Sequence, residues 1–181
     1  MRQNCRFGAV TNASKCGISN MLRESPSSAR LPWPLAPRPF DEEAFGSWLA
    51  RVATKYRISV AALWEASVDE PYPPLGNVGW ILFPCIDQSA RDRLSSLARL
   101  DGDRLDRIQT PQGWISPRHR LPYCFKCLVL NDADVTAPRW KREWLRPGKE
   151  YCGVHQSEVW MIDGSIRTNL CKSPMPGQLE G

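Results

Sequence analysis

Four residues constrain this chain more than any other feature: Cys124, Cys127, Cys152 and His155. They form two close pairs, Cys124-Phe125-Lys126-Cys127 and Cys152-Gly153-Val154-His155, separated by residues 128–151. Two side chains three positions apart can grip one ion while the backbone turns around it. Three thiolates and one imidazole, supplied by two such knuckles, are the donor set of a tetrahedral structural zinc site. Soft sulfur with imidazole favours zinc over magnesium or calcium. The competing reading is a redox CxxC beside an unrelated CxxH, but a thioredoxin-like site needs a βαβ context, which is not visible here. One Zn2+ ion held by these four residues is expected.

The other cysteines fit no disulfide framework. The chain has seven cysteines in 181 residues, and its start, MRQNCRFGAVTNASKCG, lacks the apolar run of an export signal. An odd count without export points to a reducing compartment, so a cytoplasmic protein is expected. Cys5 and Cys16 read as free thiols, Cys85 in its apolar setting as a buried thiol, and Cys171 has no partner. The longest apolar stretch, Val78 to Ile86, is too short to cross a membrane.

Catalytic patterns are missing. Four protein ligands leave no open position for water, which argues against a zinc hydrolase. Neither His119 nor His155 opens an H-x-E, and Tyr123 separates Pro122 from Cys124, so the deaminase signature is absent. There is no GxxxxGK[ST] loop, and two histidines leave little room for a Ser/His/Asp triad. A protein that is not an enzyme is expected.

Outside the knuckles the pattern is mainly α. Residues 1–30 lack periodicity and read as a disordered tail. The prolines at 32, 34, 37 and 39 impose an extended entry. Asp41 is a candidate N-cap, with Phe40 and Phe45 at staple spacing. Phe45, Trp48, Leu49, Val52, Ala53 and Tyr56 then repeat as one apolar helical stripe. Ser59 can cap a second helix, making a helical hairpin. Another helix is expected from about Asp87, with Ala90, Leu94, Leu97 and Ala98 on one face, and a shorter one carries Leu105 and Ile108 after Asp101-Gly102. This second pair has the better helix-turn-helix spacing, although helical hairpins are more often plain packing units. The expected architecture is helix-turn-helix-like hairpins over 31–116, a small Cys3His zinc module over 117–160, and a tail over 161–181.

A net charge of +5 permits nucleic-acid contact without requiring it. Arg91, Arg93 and Arg104 on the second helix pair, with Arg139, Lys141 and Arg142 between the knuckles, are the candidates for contact with DNA or a partner. The alternative is that these bases are simply solvated. Trp140 and Trp144, four apart, read better as cover for the metal core than as stacking platforms.

Taken together, Leu31-Pro32 before a Pro-rich entry and Ser47, Trp48, Leu49, Arg51 and Ala53 resemble the TniQ family, related to the target-selecting TnsD proteins. Those five residues stand in register with the family pattern E-S-x-x-S-W-L-x-R-x-A. Leu97 to Thr110, Tyr123-Cys124-x-x-Cys127-Leu128, Arg142-x-Trp144 and Cys152-x-x-His155 are similar to its later segments. Phe125 departs from the usual proline, and Cys171 could be the remnant of a further segment found in longer relatives. The resemblance implies a non-catalytic accessory role in DNA transposition. Such proteins act with a transposase and an AAA+ ATPase, and bind target DNA directly or through another targeting complex. The alternative is a zinc-containing helix-turn-helix transcription regulator.

Overall fold

A computed structural model describes residues 30–75, 79, 81–115, 120–129 and 139–163. The expectations for both tails, and for Cys5, Cys16 and Cys171, lie outside these residues. Among the described residues the chain is mainly helical: α1 (Phe45–Lys55), α2 (Val60–Ser67), α3 (Gln88–Ala98), α4 (Gly102–Ile108) and the short α5 (Phe125–Val129). A two-stranded antiparallel sheet joins β1 (Arg120–Tyr123) to β2 (Trp160–Asp163), pairing Leu121 with Ile162 and Tyr123 with Trp160. Among the described residues no helix is long and apolar enough to cross a membrane.

The apolar periodicity of α1 makes it helical, but one buried face does not describe it. Every residue from Phe45 to Ala53 is buried, Ser47 and Arg51 included. A helix enclosed on all sides must satisfy its polar side chains internally. Here Glu43, Ser47 and Arg51, spaced four apart, make a polar stripe. Glu43 accepts from Arg51 through both carboxylate oxygens at 2.8 Å, from Ser47 Oγ at 3.0 Å and from the Phe40 amide at 3.2 Å. Arg51 also donates to the Arg38 carbonyl at 2.9 Å. The pair is 0% and 5% exposed at its side chains.

The expected cap at Asp41 is overturned. The residue preceding α1 is Ala44, with no side-chain cap. Residues 42–44 are held instead by the segment between the knuckles: Glu43 bridges Lys141, Ala44 N–H donates to Trp140 O at 2.8 Å, and Arg142 N–H to Glu42 O at 2.7 Å. The cap expected at Ser59 forms on α2. Asp87 and Asp101, which the sequence marked only as helix boundaries, act as caps too, on α3 and α4, and each of the three accepts from an early backbone amide.

Two apolar clusters meet at α1. The first gathers α1–α4 around Phe83, whose ring lies 4.8 Å from Trp64, 5.2 Å from Phe45 and 5.8 Å from Tyr72. The Pro-rich strap crosses it: Trp48 Nε1 donates to Pro37 O at 2.8 Å, Trp33 N–H to Leu97 O at 2.7 Å, and the Tyr56 hydroxyl bonds both backbone groups of Leu35. Side chains thus supply what a Pro-rich backbone cannot exchange in a ladder. The second cluster holds Ala44, Ile81, Leu82, Leu121, Trp140, Trp144, Leu145, Cys124 and Cys152. Adjacent residues therefore fall into different clusters, Ala44 and Phe45 at one crossing, Leu82 and Phe83 at another.

Cys85 corrects the sequence expectation: it is exposed, and its thiol donates to the Thr110 carbonyl at 3.1 Å. Apolar neighbours in sequence do not bury it because Ile81–Phe83 and Ile86 take the inward positions.

Both α1 and α3 end in Schellman turns. Ile58 N–H returns to Ala53 O and Arg57 N–H to Thr54 O, while Leu100 N–H returns to Ser95 O and Arg99 N–H to Ser96 O. The left-handed residue of such a turn is usually glycine, but here it is Arg57 (φ 55°) and Arg99 (φ 54°).

Two predictions follow from this packing. Removing one partner of a buried ion pair strands the other, at about 3–5 kcal/mol. Glu43→Gln or Arg51→Met should lower chemical-denaturation stability by that order, with the double variant losing less than the sum. The left-handed conformation costs a non-glycine residue about 1–2 kcal/mol, against about 0.5–1 kcal/mol of extra chain entropy for glycine. Arg99→Gly should accordingly match or exceed the parent's melting temperature.

Candidate metal centre

The site is built by two turns that the sheet and the tryptophans hold face to face. β1 delivers Cys124 to the start of α5, where Leu128 N–H closes the first turn onto Cys124 O at 3.1 Å. That turn brings Cys127 onto the same side. The second knuckle is closed by Cys152 N–H to Ser157 O and Gln156 N–H to Cys152 O, both at 2.9 Å, with Gln156 at a positive φ of 49°. β2 then pairs back onto β1 and joins the two halves. Behind them Trp140 and Trp144 are fully buried, their rings edge to face at 6.0 Å, and Trp140 Nε1 donates to Pro122 O at 2.8 Å. Trp144 sits in a 3-10 turn over Arg142–Leu145 rather than on an α-helical face.

The ligand atoms of Cys124, Cys127, Cys152 and His155 lie within 4.8 Å of one another. His155 presents Nδ1 to all three sulfurs, at 3.6 Å from Cys124, 3.3 Å from Cys127 and 3.8 Å from Cys152. Cys127 and Cys152 Sγ are 3.7 Å apart. That separation rules out a disulfide, which needs about 2.05 Å. It agrees with the edges of a tetrahedron around one ion: metal–sulfur bonds of about 2.3 Å and metal–nitrogen bonds of about 2.0–2.1 Å imply edges of about 3.8 and 3.5 Å. The four side chains are thus placed so that they could hold a metal ion.

The surroundings act on the thiols in opposite directions. Burial opposes ionisation of Cys124, but hydrogen bonds from the Cys127 backbone and from Ser157, Cys152 and His155 outweigh it and bring the thiol down to about 6. Burial pushes Cys127 up to about 12, reinforced by Cys152 and Cys124 and opposed by the Lys141 charge. Ser157, whose Oγ is 3.7 Å from Cys124 Sγ, and Lys141 are therefore part of the site's electrostatics. Ser157 was not singled out in the sequence. Its signal would have been its place two residues after His155, where the backbone turns back to Cys152. Phe125, in place of the family's usual proline, opens α5 and stacks on Trp160 at 6.1 Å.

Of the six basic candidates, Lys141 acts on Cys127, and the five arginines are engaged elsewhere in the fold. Arg91 pairs with Asp106 at 2.9 Å and links α3 to α4. Arg93 donates to Asp69, which also receives Arg30 at 2.9 Å. Arg104 donates to Pro39 O at 3.2 Å. Arg139 pairs with Glu42 at 3.2 Å and lies over the Phe40 ring at 3.6 Å. Arg142 donates to the carbonyls of Arg107 and Gln109 at the end of α4. Lys141, half-buried, forms the bridge with Glu43. Each of the five arginines has a partner within the fold.

The stripe Glu43–Ser47–Arg51 reaches this centre as well. Ser47 Oγ accepts from the Trp140 amide at 2.8 Å, so the helix that organises the first cluster also fixes the segment between the knuckles. A search of curated proteins found no match. The TniQ family model matches residues 34–159, from the Pro-rich strap through both knuckles to the end of the second. By that match, the chain belongs to the TniQ family.

Proposed function

We propose that this chain is a non-catalytic accessory protein of DNA transposition, an adaptor that helps select or recruit machinery to target DNA. The observation that carries the reading is the family match across strap, helices and both knuckles. The implied partners are an AAA+ transposition ATPase and a transposase, with target DNA engaged directly or through another targeting complex.

The ion we assign to Cys124, Cys127, Cys152 and His155 is one structural Zn2+. The donor chemistry supports it, since three thiolates and an imidazole suit zinc better than a hard cation. Zinc here would supply a cross-link between residues 124 and 155 in a region with few regular elements. With all four positions taken by protein, no site remains for activated water. We treat 31–116 as a helical region and 117–160 as the zinc module. The module rests on α1 through Trp140.

A second reading is a transcription regulator using α3–α4 as a helix-turn-helix. The three-residue connection at 99–101 favours it. Against it, Arg91 and Arg104 are engaged within the fold. Contact of DNA or a partner by Arg91, Arg93, Arg104, Arg139 or Arg142 would have to replace such internal bonds, whereas the Lys141 bridge to Glu43 is a backbone pairing.

Elemental analysis of the purified protein should give about one zinc per chain, falling in Cys152→Ser. Chelation should unfold the 117–160 module, because metal binding and folding are coupled. Metal-free protein with an unchanged cooperative melt would refute the zinc assignment. For the adaptor role, the measurement is co-purification with the AAA+ ATPase and insertion frequency after deletion. No association, together with unchanged insertion, would sink it. Operator binding by the protein alone, steeply salt-dependent, would favour the regulator.

A further inference from the structure

A cleft of about 580 Å³ opens between the Pro-rich strap and the ends of α1, α2 and α3. Trp33, Tyr56, Ile58, Leu63, Ala66 and Leu97 line it. Its walls are preformed. The Trp33 amide is tied to Leu97 O, and the Tyr56 hydroxyl to both backbone groups of Leu35. Around it stand apolar side chains that the fold leaves in water: Leu31 is 86% exposed, Leu35 62% and Ile58 42%. Leu31 and Ile58 line the same cleft.

The rim adds a second, independent observation. Both helices that end here, α1 and α3, close with an arginine in the left-handed conformation, Arg57 beside Tyr56 and Ile58, and Arg99 two residues after Leu97. Glycine would meet the backbone requirement without strain, so the turn itself does not call for arginine. Both side chains are exposed, and neither takes an ion pair among the described residues. Acidic groups nearby in sequence are Glu65 on α2, Asp69, already shared by Arg30 and Arg93, Asp101, which caps α4, and Asp103. The cleft is thus a mostly apolar trough, and two exposed arginines in a costly conformation flank its lining residues in sequence. Strain of that kind, where the fold does not need it, points to function.

We propose that this cleft docks an amphipathic segment of a partner protein, with two or three large apolar side chains on the floor and Asp or Glu residues facing Arg57 and Arg99. Helix-in-groove recognition has this form, and the volume falls within the range of ligand clefts, about 300–1,000 Å³. The lining is mostly apolar, and its polar members are already engaged, Arg30 with Asp69 and the Ser67 hydroxyl with Leu63 O, so the floor suits apolar side chains better than a phosphate backbone. A second copy of the chain is disfavoured by charge. A two-fold contact would set each arginine rim against the same patch of its partner. The inference deepens the adaptor reading by naming a surface, and rests on it only for the natural partner.

The test is a fluorescence-anisotropy titration of the full chain. The probe is a labelled 14-residue peptide carrying Leu at positions 4, 7, 8 and 11 and Asp or Glu elsewhere. The control has Lys at every acidic position. Saturable binding of the acidic peptide in the micromolar range is expected, with the Lys peptide at least about tenfold weaker. Arg57→Gly/Arg99→Gly should weaken the acidic peptide about tenfold or more while its melting temperature stays level or rises. A merely structural role for these arginines would not separate the two readouts. Ile58→Ser, at a half-exposed position, should also weaken binding without unfolding the chain. The proposal is overturned by no saturation up to about 1 mM peptide, or by equal affinity for the Lys peptide. Undiminished binding to the double glycine variant would overturn it too. So would self-association in sedimentation that Ile58→Ser abolishes, or a 20-nucleotide DNA that displaces the peptide. The titration needs only the purified chain, so its failure is distinct from failure of the ATPase association.

Discussion

The rest of the structure depends on one buried ion pair. Glu43 lies two residues before α1 and Arg51 about two turns into it, and between them they take up the strap through Phe40 N–H and Arg38 O. Ser47, in the same stripe, receives the Trp140 amide from a segment more than ninety residues away. Three points of the chain that share no local contact are thus fixed to one helix face. Ionic groups in such a place give little net stability, since desolvation offsets most of their attraction. What they give is registry: an apolar stripe could slide, whereas a carboxylate with four donors around it holds one arrangement.

Around that pair the fold divides its work. The first cluster is an ordinary helical core, organised by aromatic rings on Phe83 and stable by apolar burial. The second is small and carries Cys124 and Cys152 among its buried members, with little regular structure beyond a two-stranded sheet. A two-stranded ribbon is marginal alone in water. Its order comes from Trp140 and Trp144 behind the sheet and from whatever joins the four ligand residues in front. The metal centre and the tryptophans are therefore one construction seen from two sides, which explains why basic residues near Trp140 turn inward. Arg139 covers Phe40 and Arg142 closes the end of α4.

Much of this was legible in the chain. Helix periodicity located α1, α2 and α3, because 3.6-residue spacing of large apolar groups survives any tertiary context that buries one face. Ser59, Asp87 and Asp101 act as caps because the capping bond is local. Asp41 failed as a cap for the opposite reason. The backbone at 42–44 is claimed by Trp140 and Arg142, partners that no local pattern announces. Cys85 was misread in the same way, since an apolar neighbourhood in sequence says nothing about which residue of a loop turns outward.

The sequence by itself picked out the four candidate ligands, because spacing within each knuckle is a local property that brings two side chains three residues apart to one side however the rest folds. It also determined that the chain would be mainly helical, and through the motifs along 31–155 it carried the mark of its family. Only the tertiary structure decided that the two knuckles face one another with Nδ1 of His155 within 3.8 Å of each sulfur. It likewise decided that Glu43, Ser47 and Arg51 form a buried stripe, and that the strap and the ends of α1–α3 enclose a mostly apolar cleft. Those features join residues far apart in the chain. Closing such loops is a matter of long-range packing and hydrogen bonding, which spacing along the chain does not encode.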